Sequence, residues 1–313
     1  MKRYEVIDNQ IERLKKKGLQ FKDENQAKKI MLRENHYYIT EGYEDIFIDL
    51  KQSTKRQEIY EEETYFEELY AIYQLDRDLK NLIFDYINII ENNIKSYVSY
   101  VFSDIYGNQD FLKRENFKLE KQYDKEFEML KEQINSNLER NFKSPQSDLK
   151  KYSAQNQFLP LWMLVKVFTF GNIVNFYCLM KKEDQQEVAQ FFKVSPYSLD
   201  DYLKMLNIVR NICAHGDILF NLRLNIRLKP RDCSYHQALG IHKVNHIYES
   251  GINDFFAIMM VLKKLLLPID FEEMFSKMEK LLSKVKQEVD NLSYENLLKI
   301  MGFPQNYEKL KNL

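Results

Sequence analysis

Only 8 glycines and 6 prolines punctuate the 313 residues. Sandwiches, barrels and glycine-rich phosphate loops all depend on turn residues of these two kinds, so the chain reads as all-α. Hydrophobic residues at 44% and aromatics at 14% supply enough apolar surface for a large core and exclude general disorder.

The longest periodic pattern runs from Thr64 to about Ile105. Phe66, Leu69, Ile72, Tyr73, Leu79, Ile83, Tyr86, Ile87, Ile90, Ile94 and Val98 recur on one face and predict a single long helix. Ahead of it, Ile7, Ile11 and Leu14, with Gly18 as a stop, predict one short helix. Asp23 caps a second one through Ala27, Ile30 and Met31. A polar stretch, 49–63, separates this unit from the long helix. Residues 111–150 are charged and helical in pattern and end in the turn-like Lys143, Ser144 and Pro145. The stretch 158–180 is long and apolar enough to span a bilayer, yet Lys166, Asn172 and Asn175 would then sit at a costly depth. A buried core helix is expected there, with Gly171 closing it or letting two short helices meet. A short helix from Glu183 to Phe192 follows. The expected organisation is an N-terminal helical segment (1–50), a helical core (60–270) with a charged insertion around 111–150, and a C-terminal helical segment (271–313).

Lys and Arg number 46 and Asp and Glu 47, a net charge of -1, which rules out a uniformly basic coat for nucleic acid. Cys178, Cys213 and Cys233 are odd in number and widely spaced, as free thiols in a reducing compartment would be. The opening MKRYEVIDNQIERLKKK has no apolar run of the signal-peptide kind, so a cytoplasmic protein without membrane attachment is expected.

Chemistry concentrates between Ser195 and Asn221. Pro196 after Ser195, and Ser198 at capping-box spacing from Asp201, mark a helix start, and Gly216 marks its end. Leu199, Tyr202, Met205, Leu206, Val209, Ile212 and Cys213 fall on one apolar face. Asn207, Asn211 and His215 line up on the other at i, i+4 and i+8, with Arg210 at the edge of that arc. A histidine at a helix C-terminus is favoured in its protonated form by the macrodipole and is suited to moving a proton near neutral pH. An arginine suits a phosphate or phosphorane. Metal-free RNA cleavage needs both functions. Arg210 and His215 lie about 140° apart around an ideal helix, so one copy makes an incomplete site and a two-fold pair of chains is expected to complete it. The competing reading is a hydrated helix face.

These residues carry a resemblance. RNICAHG at 210–216, followed by Asn221, resembles the R-x4-H motif of HEPN ribonucleases in its Arg-Asn-x-x-x-His form. The chain as a whole is similar to the Abi (abortive infection) family of the AbiD/AbiF type. Supporting stretches are QIERLKKKGLQFKDENQAKKIMLRENHYYITEGY at 10–43, IIENNIK at 89–95 and PLWMLVKVFTFGNIVNFY at 160–177. The resemblance implies an all-α HEPN-like helical bundle with N-terminal and C-terminal helical extensions. It implies cofactor-free, metal-independent endoribonuclease activity at a paired interface and a role in antiphage defence. Some similar proteins bind a structured noncoding RNA encoded beside them. Carried over, Arg210 and His215 become the catalytic pair, Asn211 their positioning neighbour, and Glu91 an acidic position on the earlier helix.

Several residues keep two readings. Glu91 with Lys95 is either part of a site or an i,i+4 surface pair. Lys28, Lys29 and Arg33, with the cluster 15–17 and with Asn207, are either RNA contacts or solvated faces. Tyr37, Tyr38 and Tyr43 either stack bases or belong to the core. Cys233, His236, His242 and His246 show a C-x2-H-x5-H-x3-H spacing that zinc would tolerate, although without finger geometry; the last two histidines also fit one helix face, and no metal site is assigned. The rival functions are an RNA-binding module that does not cut and a structural partner in a toxin and antitoxin pair.

Overall fold

The computed structural model describes residues 6–34, 36–54, 58–109, 111–229 and 234–313. One helix, α4 (Phe66–Tyr106), is the axis around which the others are arranged. Its apolar stripe is buried from Phe66 to Phe102, as the periodicity predicts. The chain enters it through α1 (Ile7–Lys16), α2 (Glu24–Glu34) and α3 (His36–Tyr43). Gly18, at φ +96°, ends the first of these, and the Asp23 side chain accepts the Gln26 N–H ahead of the second. The sequence pattern predicts only two short helices here. The third, α3, is short and mixed in polarity, and it is held by packing on α4 rather than by a marked period.

After α4 come α5 (Asp124–Phe142), α6 (Asp148–Asn156), α7 (Leu161–Leu164), α8 (Phe170–Leu179), α9 (Lys182–Phe191) and α10 (Pro196–His215). The charged stretch 111–150 is therefore α-helical only from Asp124, with short 3-10 turns at Arg114–Asn116 and Lys121–Tyr123 before it. Before that, Phe117 is fully buried and meets Phe102 at 5.2 Å and Phe176 at 5.1 Å, an aromatic cluster that pins an irregular strand of chain to the end of α4.

The apolar stretch 158–180 is two helical pieces. The break lies at Thr169 and not at Gly171: Thr169 Oγ1 accepts the Asn172 N–H at 3.1 Å, and Asn172 Oδ1 accepts the Thr169 N–H at 3.0 Å. The buried Asn172 is completed by Gln133 and Asn137 of α5, at 2.7 and 3.0 Å. Among the described residues no helix is long and apolar enough to cross a membrane.

The remainder is α11 (Tyr235–Ala238), a two-residue hairpin of β1 (Lys243–Val244) and β2 (Ile247–Tyr248), α12 (Phe255–Leu265), α13 (Pro268–Glu288) and α14 (Tyr294–Ile300). The most extensive helix pairing is that of α13 with α4. Glu68, in the first turn of α4, fastens the two: its buried carboxylate accepts the N–H groups of Asp290 and Asn291 at 2.8 and 2.9 Å and that of Tyr65 at 2.9 Å. Glu68→Ala leaves these donors without their acceptor and is expected to lower unfolding free energy by about 1–3 kcal/mol in urea titration. An unchanged midpoint would show that the clamp carries no weight.

Candidate functional site

Helix α10 starts where the sequence places it, but its cap is Ser195, whose Oγ accepts the Ser198 N–H at 3.1 Å. The expected Ser198 and Asp201 box does not form, because the helix already begins at Pro196 and Ser198 lies inside its first turn; Asp201 pairs instead with Lys229 at 2.6 Å. Gly216, at φ +81°, terminates the helix as expected. Leu199, Tyr202, Met205, Leu206 and Val209 are buried, while Ile212 and Cys213 are half-buried.

The polar arc divides. Asn207 is half-buried, and a Cβ placed on Gly171 would lie 3.7 Å from its amide. Asn211 and His215 are exposed. Among the described residues the His215 side chain has no hydrogen bond and no ion pair. Arg210 turns toward α4, with its guanidinium carbon 5.4 Å from the centroid of Phe84. Its Nε is buried without a hydrogen-bond partner, and no carboxylate among the described residues pairs with it. A half-buried cation with unspent donors is expensive to leave unmatched, and an anion in front of it would relieve that cost.

The end of α10 is fixed from beneath by Asp76, which has no exposed surface. Its Oδ1 accepts the Leu219 and Phe220 N–H groups at 2.9 and 2.7 Å, and its Oδ2 accepts the Tyr43 hydroxyl at 2.8 Å and lies 3.0 Å from Lys80 Nζ. Lys80 in turn donates to the carbonyls of Gly216 and Asp217 at 3.4 and 3.2 Å. One carboxylate thus joins α3, α4 and the turn that carries His215. Burial, with Asp76 adding to it, pushes the Tyr43 hydroxyl well above its ordinary value, so it remains a donor. Tyr43 is consequently a core residue and not a stacking platform. Burial likewise pushes the Cys213 thiol up to about 12, which keeps it protonated and weakly nucleophilic.

Between α3, α4 and the end of α10 lies an open groove of about 750 Å³. Tyr37, Tyr38, Tyr73, Arg77, Asn81 and His215 are among the side chains lining it. Phe84 lies one turn beyond Lys80 on α4, and Arg210 one turn before Ala214 on α10, so the contact of Arg210 with Phe84 lies one helical turn from groove-lining residues on both helices, and Arg210 itself does not line the groove.

The other candidates stand apart. Glu91 bonds Lys95 at 2.7 Å in a largely buried pair and has no bond to Arg210 or His215; two helical turns, about 10.5 Å, separate it from Phe84. The pair reading therefore describes Glu91, although it is less exposed than a surface pair. Lys28 is taken by Asp8 and Glu24 at 2.8 and 3.2 Å, Lys15 by Glu12 and Glu24, Lys17 by Glu44 and Glu58, and Arg33 by Glu34 and Tyr70. Lys29 is exposed and keeps its charge unmatched among the described residues. His236 is buried, stacked on Tyr248 and bonded to the Gly251 carbonyl at 2.7 Å. His242 and His246 are exposed on the hairpin, not on a helix, since Asn245 and His246 take the positive φ values its turn requires. Cys233 lies outside the described residues, among which no three potential ligands gather.

Sequence reasoning missed Asp76, Lys80 and Phe84. The available signal was a carboxylate and a lysine at i,i+4 inside the stripe of Ile72, Leu75, Leu79 and Ile83. Asp76→Ala would strand Lys80 and two backbone donors, and a loss of about 3–5 kcal/mol in urea unfolding is expected. Hydrogen exchange at Leu219 and Phe220 should rise in the same variant; a loss below about 1 kcal/mol with those amides still protected would contradict this role.

No curated protein and no solved structure matches the chain. The family model described as Abi-like protein matches residues 30–221, a span that runs from α2 through α3, α4 and α10 and ends just past the turn anchored by Asp76. The chain belongs to the Abi-like protein family.

Proposed function

We propose that the protein is an abortive-infection endoribonuclease of the HEPN type, a cytoplasmic antiphage protein that cuts RNA without a metal ion. The observation that carries the reading is the pairing on one helix of an uncompensated, half-buried Arg210 with an exposed and unbonded His215. In this mechanism Arg210 holds the scissile phosphate and stabilises the charge that builds on phosphorus. His215 moves the proton as the ribose 2'-OH attacks in line, and the leaving 5'-oxygen departs with a proton. Asn211, exposed one turn before His215, orients the same substrate in this mechanism. Glu91, engaged by Lys95, acts at most through the packing of α4. A structured noncoding RNA that controls the enzyme would be a second partner.

A homodimer completes the site. Tyr197, Asp201, Lys204, Ile208, Asn211 and His215 follow one another at alternating spacings of four and three, and they form one seam along α10 that the protein's own helices do not fully cover. Pairing through its C-terminal half brings two copies of Asn211 and His215 together beside two Arg210 side chains. Ile208 is the apolar member at the centre, and Ile208→Glu is expected to shift the protein to monomer in light scattering with its helical content by circular dichroism retained.

Purified protein should cleave RNA in the presence of a chelator. Arg210→Ala and His215→Ala should each lower the rate by about 100-fold or more with the fold intact by circular dichroism. Products should end in a 2',3'-cyclic phosphate. Ends bearing a 3'-hydroxyl, cleavage of DNA, or full activity in both variants would reject the mechanism. Tight binding of RNA that is never cut would favour the non-cleaving module.

A further inference from the structure

From the groove beside His215 we infer that the protein has a stacking subsite for unpaired RNA, with Tyr37 and Tyr38 as its platform. The inference deepens the nuclease reading and rests on it for the role of His215, but the binding it describes stands on its own observations. Tyr37 and Tyr38 are 53% and 56% exposed, on a helix whose other residues reach into the core at Ile39 and Tyr43. Their rings meet edge to face at 6.0 Å, and Tyr73 forms a third aromatic side of the same groove. Adjacent exposed rings in a concave site offer π-faces to bases of any identity.

Charge in the groove sorts the two halves of a nucleotide. Arg77 contacts Glu34 and Asp78 only at 3.4 Å, so its fork of donors is incompletely used, and it shares the groove with His215. Glu41 and Asp217 line the same groove and repel phosphate. Arg77 and His215 are the groups in the groove that attract a phosphate, and Tyr37 and Tyr38 are its exposed rings for a base. The volume of about 750 Å³ admits a base with its neighbouring phosphate. A duplex fits poorly. Its bases are already stacked within the helix, and its two rows of phosphates would bring negative charge against Glu41 and Asp217. Gly42 helps to set the width, because a Cβ there would stand 3.4 Å from Ile218 Cδ1, across the contact between α3 and the chain that follows α10.

The test measures binding apart from cleavage. In an Arg210→Ala background, fluorescence anisotropy is read with fluorescein-labelled oligouridine, oligoadenosine and a duplex of mixed sequence. Tyr37→Ala with Tyr38→Ala should weaken both single strands by about 10-fold or more, while Tyr37→Phe with Tyr38→Phe keeps the parental affinity. The duplex should bind more weakly than either single strand. Melting curves matching the parent confirm that the comparison is between folded proteins. Parental affinity in the alanine pair, equal losses in the alanine and phenylalanine pairs, or preference for the duplex would each overturn the subsite. Wild-type protein that binds by these rules yet cuts nothing would reject the nuclease and leave the subsite standing.

Discussion

The buried carboxylate of Asp76 is the constraint on which the arrangement around α10 depends. Four donors from three parts of the chain converge on it: a tyrosine hydroxyl, a lysine and two successive backbone N–H groups. A charge with no exposed surface is tolerable only when its hydrogen-bonding capacity is filled, and the filling here dictates tertiary position. Tyr43 sets the height of α3. Leu219 and Phe220 set where the chain goes after the helix. Lys80 bridges the carboxylate to the carbonyls of Gly216 and Asp217, so the last turn of α10 is gripped from both ends of one salt bridge.

That grip decides what the polar face of α10 can do. Arg210 and His215 are separated by an angle that no single flat contact spans, and each meets a different environment as a result. Arg210 lies against Phe84 on the flank of α4, and His215 stands beside the groove floored by Lys80 and walled by tyrosines. The helix itself supplies the angle, and α3 and α4 supply the surfaces that make the angle useful. Without the Asp76 anchor the terminal turn would fray, as helix ends with unsatisfied carbonyls do, and His215 would lose a fixed relation to Arg210.

The backbone plan of this chain is legible in its sequence because it is written in periodicity and punctuation. The stripe from Phe66 to Val98, the Ser195 and Pro196 start and the Gly216 stop each express a local rule that tertiary packing does not override. The break at Thr169 shows the limit: Gly171 is the conspicuous residue, but the reciprocal bonds of Thr169 and Asn172 decide the boundary. The spacing of Arg210 and His215 made them candidates, and the helix that carries them forms between the predicted ends. Asp76 was not, since one acidic residue among 47 Asp and Glu announces nothing until its partners, far apart in sequence, are brought to it. Tyr37, Tyr38 and Tyr43 are nearly adjacent and alike on paper. Only the packing of α3 separates two exposed rings from one that is hydrogen-bonded in the core.

A net charge of -1 becomes informative once the ion pairs are placed. Lys15, Lys17, Lys28, Arg33, Lys95, Lys204 and Lys229 all face carboxylates at short range, and each such pair presents a dipole whose field falls off faster than that of a lone charge. At physiological ionic strength the exposed pairs are screened further within about 8 Å. Against that background the Arg210 guanidinium, held on an aromatic ring with no carboxylate partner among the described residues, differs from a surface lysine already paired with an acid. Burial sharpens the contrast, because the same unpaired charge is screened less where water is partly excluded. A nearly neutral chain lacks the diffuse attraction that would hold a polyanion anywhere on its surface, so the affinity it has for an anion depends on local features such as the half-buried Arg210.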